Sequence, residues 1–291
     1  LSLALAAIML IGMMVVSASA VSYNDLTDKD QIVNKDAVSM LVSLGIIEGK
    51  PDGSYAPTEN VDRAQMAKML SVIMNKGVDN SALYQSVNSG LVDVNTNWAK
   101  GHINYCYTTG IIAGRGNGKF DPSATVTALE AAKMLLVAVG YDPAIEGFEG
   151  ADWAINVSVR ADEQGIFEGF TKDLSAPLNR DDAALLIYNA LDVEMIQSYT
   201  TNNYPIAYSD HRTILADKYG VIKVQGVVVA NEWASLASDD GDAALKEGKT
   251  TIYNGEGIFS TTGNTTVSKE DASLKTQTFN VSTPVDMLGK T

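Results

Sequence analysis

A chain of 291 residues with 35 acidic and 21 basic side chains carries a formal net charge of −14, and 46% of its residues are hydrophobic. That hydrophobic content excludes wholesale disorder, and the length suffices for two domains or for a repeat array plus one more. The charge excludes nucleic acid and anionic membranes as general partners, since no chain-wide basic field exists to displace their counterions; any anion must be caught locally.

The chain opens on an uncharged apolar run, Leu1 to Val16, followed by Ala18-Ser19-Ala20. The run is shorter than the ~20 residues a membrane span needs, and the small residues after it form an export-signal cleavage site, so residues 1–20 are read as a signal peptide cut after Ala20. Because the sequence starts with Leu and lacks a basic head, it is expected to begin inside that signal. Cys106 is the sole cysteine, so no intrachain disulfide can form and the exported fold must be held by its core.

Three segments then repeat one plan, over 22–84, 88–146 and 147–198. In the first, Ile32, Val33, Ala37, Met40, Leu41 and Leu44 follow the spacing of an amphipathic helix that Gly45 stops. Copies two and three begin this helix with Asn97-Trp98-Ala99 and Asp152-Trp153-Ala154, where copy one has Val33. A glycine frame comes next in each: Gly45-Ile46-Ile47-Glu48-Gly49, Gly110-Ile111-Ile112-Ala113-Gly114 and Gly165-Ile166-Phe167-Glu168-Gly169. After a turn-forming loop and, in two copies, an aromatic and a proline (Tyr55 and Pro57, Phe120 and Pro122), a second helix starts. Its cap residue is Asp62, Thr127 or Asn179, with Gln65, Glu130 or Asp182 three positions later, a capping box that is weakest where Asp182 is short. Two short helices cannot bury both faces alone, so the copies are expected to pack around a shared core, with grooves between neighbours.

Arg63 and Arg180 stand at the first position of the second helix, where the macrodipole is already positive and a cation costs about 0.3–1 kcal/mol. Either each pairs with a neighbouring acid, or the two serve an anion received by guanidinium and free helix N–H groups together. On the second reading, Arg63→Ala is expected to weaken binding and leave the fold intact or slightly more stable.

The repeating unit resembles the S-layer homology domain, and three copies in series resemble the cell-wall anchoring module of bacterial surface proteins. The matching residues are the acidic or Trp-Ala start, the glycine frame, the aromatic-x-Pro loop and the helix starts Asp62-Arg63-Ala64-Gln65, Thr127-Ala128-Leu129-Glu130 and Asn179-Arg180-Asp181-Asp182. The resemblance implies a mainly α fold, a pseudo-threefold bundle of helix-loop-helix repeats. It also implies a secreted protein of the cell wall or S-layer whose grooves bind secondary cell-wall polysaccharide, often bearing ketal-linked pyruvate. The residues it assigns to that polymer are Arg63, Arg180, Asp62, Gln65, Thr127, Glu130, Trp98, Trp153, Gly45, Gly110 and Gly165. A pyruvyl carboxylate suits a helix-start arginine, and a sugar face suits Trp98 or Trp153, which could equally be core anchors. Ala128 replaces the expected arginine in copy two, and Trp is missing from copy one.

From Tyr199 to Thr291 the composition turns to Ser, Thr, Gly and Asn with β-branched runs, and strands are expected over 220–230, 250–260 and 276–282. This β-rich region is expected to continue past the last residue. The loop Gly114 to Lys119 lacks the first glycine and the hydroxyl of a phosphate loop, and Asp239-Asp240-Gly241-Asp242 lacks the spaced ligands of a calcium loop. With His102 and His211 alone, neither a zinc site nor a catalytic triad has material, so no catalytic residue, metal or cofactor is assigned. The expected function is non-covalent anchoring of a surface protein, with self-association into a lattice as a further partner. The alternative is the anchoring module of a cell-surface hydrolase whose catalytic domain lies beyond residue 291.

Overall fold

The structure, a computed structural model, describes residues 22–221, 226–236, 244–253 and 276–290. The expected signal peptide and Asp239–Asp242 lie outside them. Among the described residues seven helices run in chain order: α1 (Lys35–Ser43), α2 (Arg63–Met74), α3 (Lys100–Thr108), α4 (Ala128–Val139), α5 (Trp153–Glu163), α6 (Arg180–Ala190) and α7 (Ile214–Tyr219). The strands come after α6: β1 (Ile196–Tyr199), β2 (Pro205–Ala207), β3 (Val227–Asn231), β4 (Thr250–Tyr253) and β5 (Thr276–Phe279). The described chain divides into two compact units, one ending at Tyr219 and one starting at Gly220.

Each glycine frame closes its first helix in the same way. Gly45, Gly110 and Gly165 have φ of 69°, 80° and 69°, a left-handed turn that glycine adopts without penalty. The next amide then bonds back five residues, Ile46 to the Leu41 carbonyl (2.9 Å), Ile111 to Cys106 (2.8 Å) and Ile166 to Ala161 (2.9 Å), the six-to-one bond of a Schellman motif.

The second helices are tied together by their extended N-terminal approaches. The Val61 N–H donates to the Leu178 carbonyl (2.8 Å), Leu178 to Val126 (2.8 Å) and Val126 back to Val61 (2.9 Å), a closed ring in which each copy gives to one neighbour and takes from the other. A second bond repeats outside it: Ala64 to the Pro122 carbonyl (2.9 Å), Leu129 to Leu174 (3.1 Å) and Asp181 to Pro57 (3.1 Å). A lone extended segment cannot satisfy its own backbone, so closing the ring removes orphaned polar groups from a site where Val61, Val126 and Leu178 are buried.

The helices are traded between copies. α3, the first helix of copy two, packs on α2 of copy one; α5 packs on α4; and α1 closes the circle on α6. The last contact is pinned by the Asp181 carboxylate, which accepts from the backbone N–H groups of Val33 (3.3 Å) and Asn34 (3.2 Å). No copy is a self-contained packing unit, as the sparse apolar faces of single helices require.

The region after Tyr199 carries strands, as expected, and one helix besides: α7 comes after the β1–β2 hairpin, packs on α2 and bonds from the Tyr219 hydroxyl to the Ile73 carbonyl (3.2 Å). The packing of the repeats therefore draws on residues past the expected boundary at 198. In the second unit β3, β4 and β5 form an antiparallel sheet in that order; β5 ends at Phe279, short of the expected 282, while 222–225 and 254–260 of the other expected spans lie outside the described residues.

Candidate functional site

The side chains that open the second helices are built into local caps. Asp62 accepts from the Gln65 amide (2.7 Å) while Gln65 Oε1 accepts from the Asp62 amide (3.0 Å), and Thr127 and Glu130 make the same reciprocal pair at 3.2 Å each way. In copy three only half forms, from the Asp182 amide to Asn179 (2.8 Å), and Asp182 instead pairs with Lys172. These residues fix where the helices start and so aim the side chains of the first turn.

Arg63 is not on the surface. At 4% exposure its guanidinium crosses to copy two, donating from Nε to the Phe120 carbonyl (2.8 Å) and from Nη2 to the Ala113 carbonyl (2.9 Å), and lies 4.3 Å over the Phe120 ring. Burial, helped by the nearby Arg115, pulls its pKa down to about 10. Arg180 repeats this on copy one, with Nε to the Tyr55 carbonyl (2.7 Å), Nη2 to Glu48 (3.1 Å) and a 4.7 Å approach to the Tyr55 ring. Both arginines are struts between copies, contacts that removing Arg63 would break at a buried joint.

The aromatic loops that receive them are held from below. Asp28 accepts from the Tyr55 and Ala56 amides, both at 2.7 Å, and Asp93 from those of Phe120 (2.9 Å) and Asp121 (2.8 Å). Ala56 and Asp121 sit at positive φ, 56° and 62°, and the carboxylate clamp holds that strained turn. The sequence reading missed these aspartates. Their signal is the shared spacing of 27 residues to the aromatic.

One groove brings several expected residues together. A cavity of about 250 Å³ is lined by Lys50, Gln65, Lys68, Met69, Trp98 and Arg180, beside the Gly49 end of the first glycine frame. It draws on all three copies: loop and α2 from copy one, the approach to α3 from copy two, the start of α6 from copy three. Trp98 is 59% exposed, with one edge toward His102 at 6.4 Å between ring centroids. Lys68 pairs with Glu48 (3.1 Å) and Lys50 with Glu59. Three cations and an open indole face suit a sugar that carries a negative charge. Lys50 and Lys68 were not singled out from sequence, since a single lysine in a turn and another on a helix carry no pattern of their own.

Trp153, Arg63 and Glu130 meet in the corresponding place one copy later, together with Arg115 and Lys133. Arg115 pairs with Glu130 at 2.7 Å, and Lys133 donates to the Phe148 carbonyl with its ammonium 5.7 Å from the Trp153 ring centroid. Gly45, Gly110 and Gly165 act in the backbone turns described above.

Ser71, His102 and Asp79 meet in the order of a hydrolase triad but lack its geometry. Ser71 Oγ lies 2.6 Å from His102 Nδ1, and Asp79 is 3.6 Å from Nε2. Ser71 Oγ also lies 3.0 Å from the Lys68 carbonyl, and Ser71 and His102 are both buried with no room beside them for a substrate. Cys106 is fully buried, donates to the Ala67 carbonyl (3.4 Å) and has its pKa pushed up by burial, the environment of an inert thiol.

Comparison with known proteins gives this arrangement a context. Residues 22–67 and 92–132 match the S-layer homology domain. Over 85% of its length the chain is 28% identical to a cell surface protein of Thermoanaerobacter kivui, covering 30% of that protein. It is 32% identical over 39% of its length to an S-layer protein of Bacillus licheniformis, covering 12% of it, and 29% identical over 60% to the exoglucanase XynX of Acetivibrio thermocellus, covering 16%. The chain thus spans less than a third of each of these relatives. Segments of copies one and two are thus similar to the S-layer homology domain, and the likenesses indicate a secreted protein attached to the cell wall or S-layer.

Proposed function

We propose that copies one to three are tandem S-layer homology repeats, assembled as a pseudo-threefold bundle that anchors an exported protein non-covalently to secondary cell-wall polysaccharide. The third copy, with its shortened loop and half-formed cap, is included because the ring through Val61, Val126 and Leu178 treats it as an equal of the others. The observation that carries the functional reading is the groove of Lys50, Lys68, Trp98 and Arg180, a cavity with the volume for a sugar ring whose lining sets three cations against one carboxylate, Glu48, on this acidic chain. A pyruvylated sugar fits it, its carboxylate reaching the lysines and its ring face the indole. The chain itself performs no catalysis in this reading, and self-association into a lattice belongs to the parts beyond the repeats.

A second reading, the anchor of a cell-surface hydrolase, is favoured by the exoglucanase relative. It changes the cargo and keeps the anchor. Co-sedimentation of the chain with purified bacterial cell walls, before and after acid extraction of the secondary polymer, tests the proposal. Binding lost with the polymer is the expected result; binding that survives extraction, or never occurs, contradicts it.

A further inference from the structure

The threefold register gives the Lys50–Lys68–Trp98 groove a counterpart at each of the other two joints, and the three places differ in register. Counting from Val61, Val126 and Leu178, the seventh residue on is Lys68, Lys133 and Leu185, and the fourth is Gln65, Glu130 and Asp182. The strut residue is Arg180 for the first groove, Arg63 for the second and Ala128 for the third, and the residue 12 before the next copy's glycine is Trp98, Trp153 and Val33. Because each first helix packs on the preceding copy's second helix, Ala128 and Val33, which look like defects of different copies, both adjoin copy three, and register assigns them with Leu185 to the third groove. Leu185 approaches the glycine frame there, 3.8 Å from where a Cβ on Gly169 would stand. Lys172 is the remaining cation of that groove, and it is paired with Asp182.

The second groove has every cation of the first and uses each one internally. Arg63 is buried on two carbonyls, Lys133 is held by the Phe148 carbonyl, and Arg115, the counterpart of Lys50, is bound by Glu130. Glu130 is gripped from two sides: Oε1 meets Arg115 at 2.7 Å, Oε2 accepts the Thr127 amide at 3.2 Å, and the side chain is only 16% exposed. The acids of the first groove are of another kind. Glu48 and Glu59, 69% and 54% exposed, hold Lys68 and Lys50 from solvent and can swing away at little cost, as exposed ion pairs do. Gln65 stands in Glu130's place, makes the same capping bond and brings no charge.

We propose that Glu130 is a built-in occupant of the second groove, a carboxylate of the protein lying where a ligand carboxylate would otherwise pair with Arg115, so that the chain takes one anionic sugar, in the Lys50–Lys68–Trp98 groove. This rests on the anchoring reading above and deepens it. Glu130→Gln reproduces the cap already present at Gln65, so the helix start is kept while Arg115 is released for a ligand.

The test is isothermal titration calorimetry of the full chain with a methyl hexopyranoside bearing a ketal-linked pyruvate, beside the same glycoside without it. The expected stoichiometries are one for the native chain, two for Glu130→Gln, none for Lys68→Ala, and one for the two substitutions combined. Two sites in the native chain, or one in a folded Glu130→Gln variant, overturn the inference and leave the anchoring reading standing. A native chain that ignores the charged glycoside overturns the anionic-sugar reading, and this inference with it.

Discussion

Two of the three joints between copies are alike and the third is not. At Arg63 on Phe120 and at Arg180 on Tyr55, a helix-start guanidinium crosses to the next loop, bonds two carbonyls and stacks on an aromatic. At the joint of copies two and three the arginine is Ala128 and the aromatic is Lys172, both partners replaced at once. The pairing of losses teaches that the arginine and the aromatic form one device. An arginine at a helix start opposes the dipole, and what offsets that cost here is a pair of carbonyls from another copy together with a ring, in addition to anything a ligand supplies.

The largest expected effect comes from removing a strut. Arg63→Ala leaves the Phe120 and Ala113 carbonyls without their donors at a buried joint and opens space beside the ring, so a loss of about 2–4 kcal/mol is expected in denaturant unfolding. A change near zero would reduce the strut to a bystander. Next comes the third joint, where the device can be rebuilt. Ala128→Arg alone puts an unpartnered charge at a fully buried position and is expected to cost about 2 kcal/mol or more. Adding Lys172→Tyr should recover at least half of that, with a coupling of about 1–2 kcal/mol in the double-mutant cycle. Additive effects would show that the two positions do not communicate.

Smaller effects sharpen the comparison further. The Tyr55 hydroxyl donates to the Arg180 carbonyl at 2.7 Å, a bond that Phe120 lacks at the other joint, so Tyr55→Phe should cost only about 1 kcal/mol and leave the joint assembled. The least effect is at His102, which touches α2 through Ser71. Burial lowers its pKa from the ordinary 6.5, against the opposing pull of Asp79. A depressed pKa means the unfolded chain takes up the proton first, so stability is full above pH 6.5 and declines on acidification below it, by no more than about 1.4 kcal/mol per pH unit for one proton. His102→Asn, which keeps a polar atom facing Ser71, should flatten that part of the thermal stability profile between about pH 7 and 5.

The local features of the fold were open to sequence reading. Glycine stops and caps depend on residues within five positions of one another, and those at Gly45, Gly110 and Gly165 and at Asp62, Thr127 and Asn179 stand where the pattern puts them. What the pattern does not contain is partnership at long range. Nothing in Val33 or Ala128 reveals that both adjoin copy three, because that depends on the trade of first helices around the circle, which only the closed chain displays. For the same reason Arg63 could be recognised as out of place on its own helix, while its partners, 50 and 57 residues away, stayed hidden. Helix α7 escaped notice because its six residues sit in a stretch whose composition reads as β.

The most direct test of the anchoring account watches Trp98 itself. With Trp153→Phe and Trp233→Phe in place, Trp98 is the sole tryptophan, and its exposed indole reports on the groove. Adding acid-extracted wall polymer should shift and enhance its emission saturably, in step with co-sedimentation, and Lys68→Ala should abolish both. Emission that stays constant while the chain still sediments with the walls would contradict the account, for the polymer would then be held elsewhere on the protein.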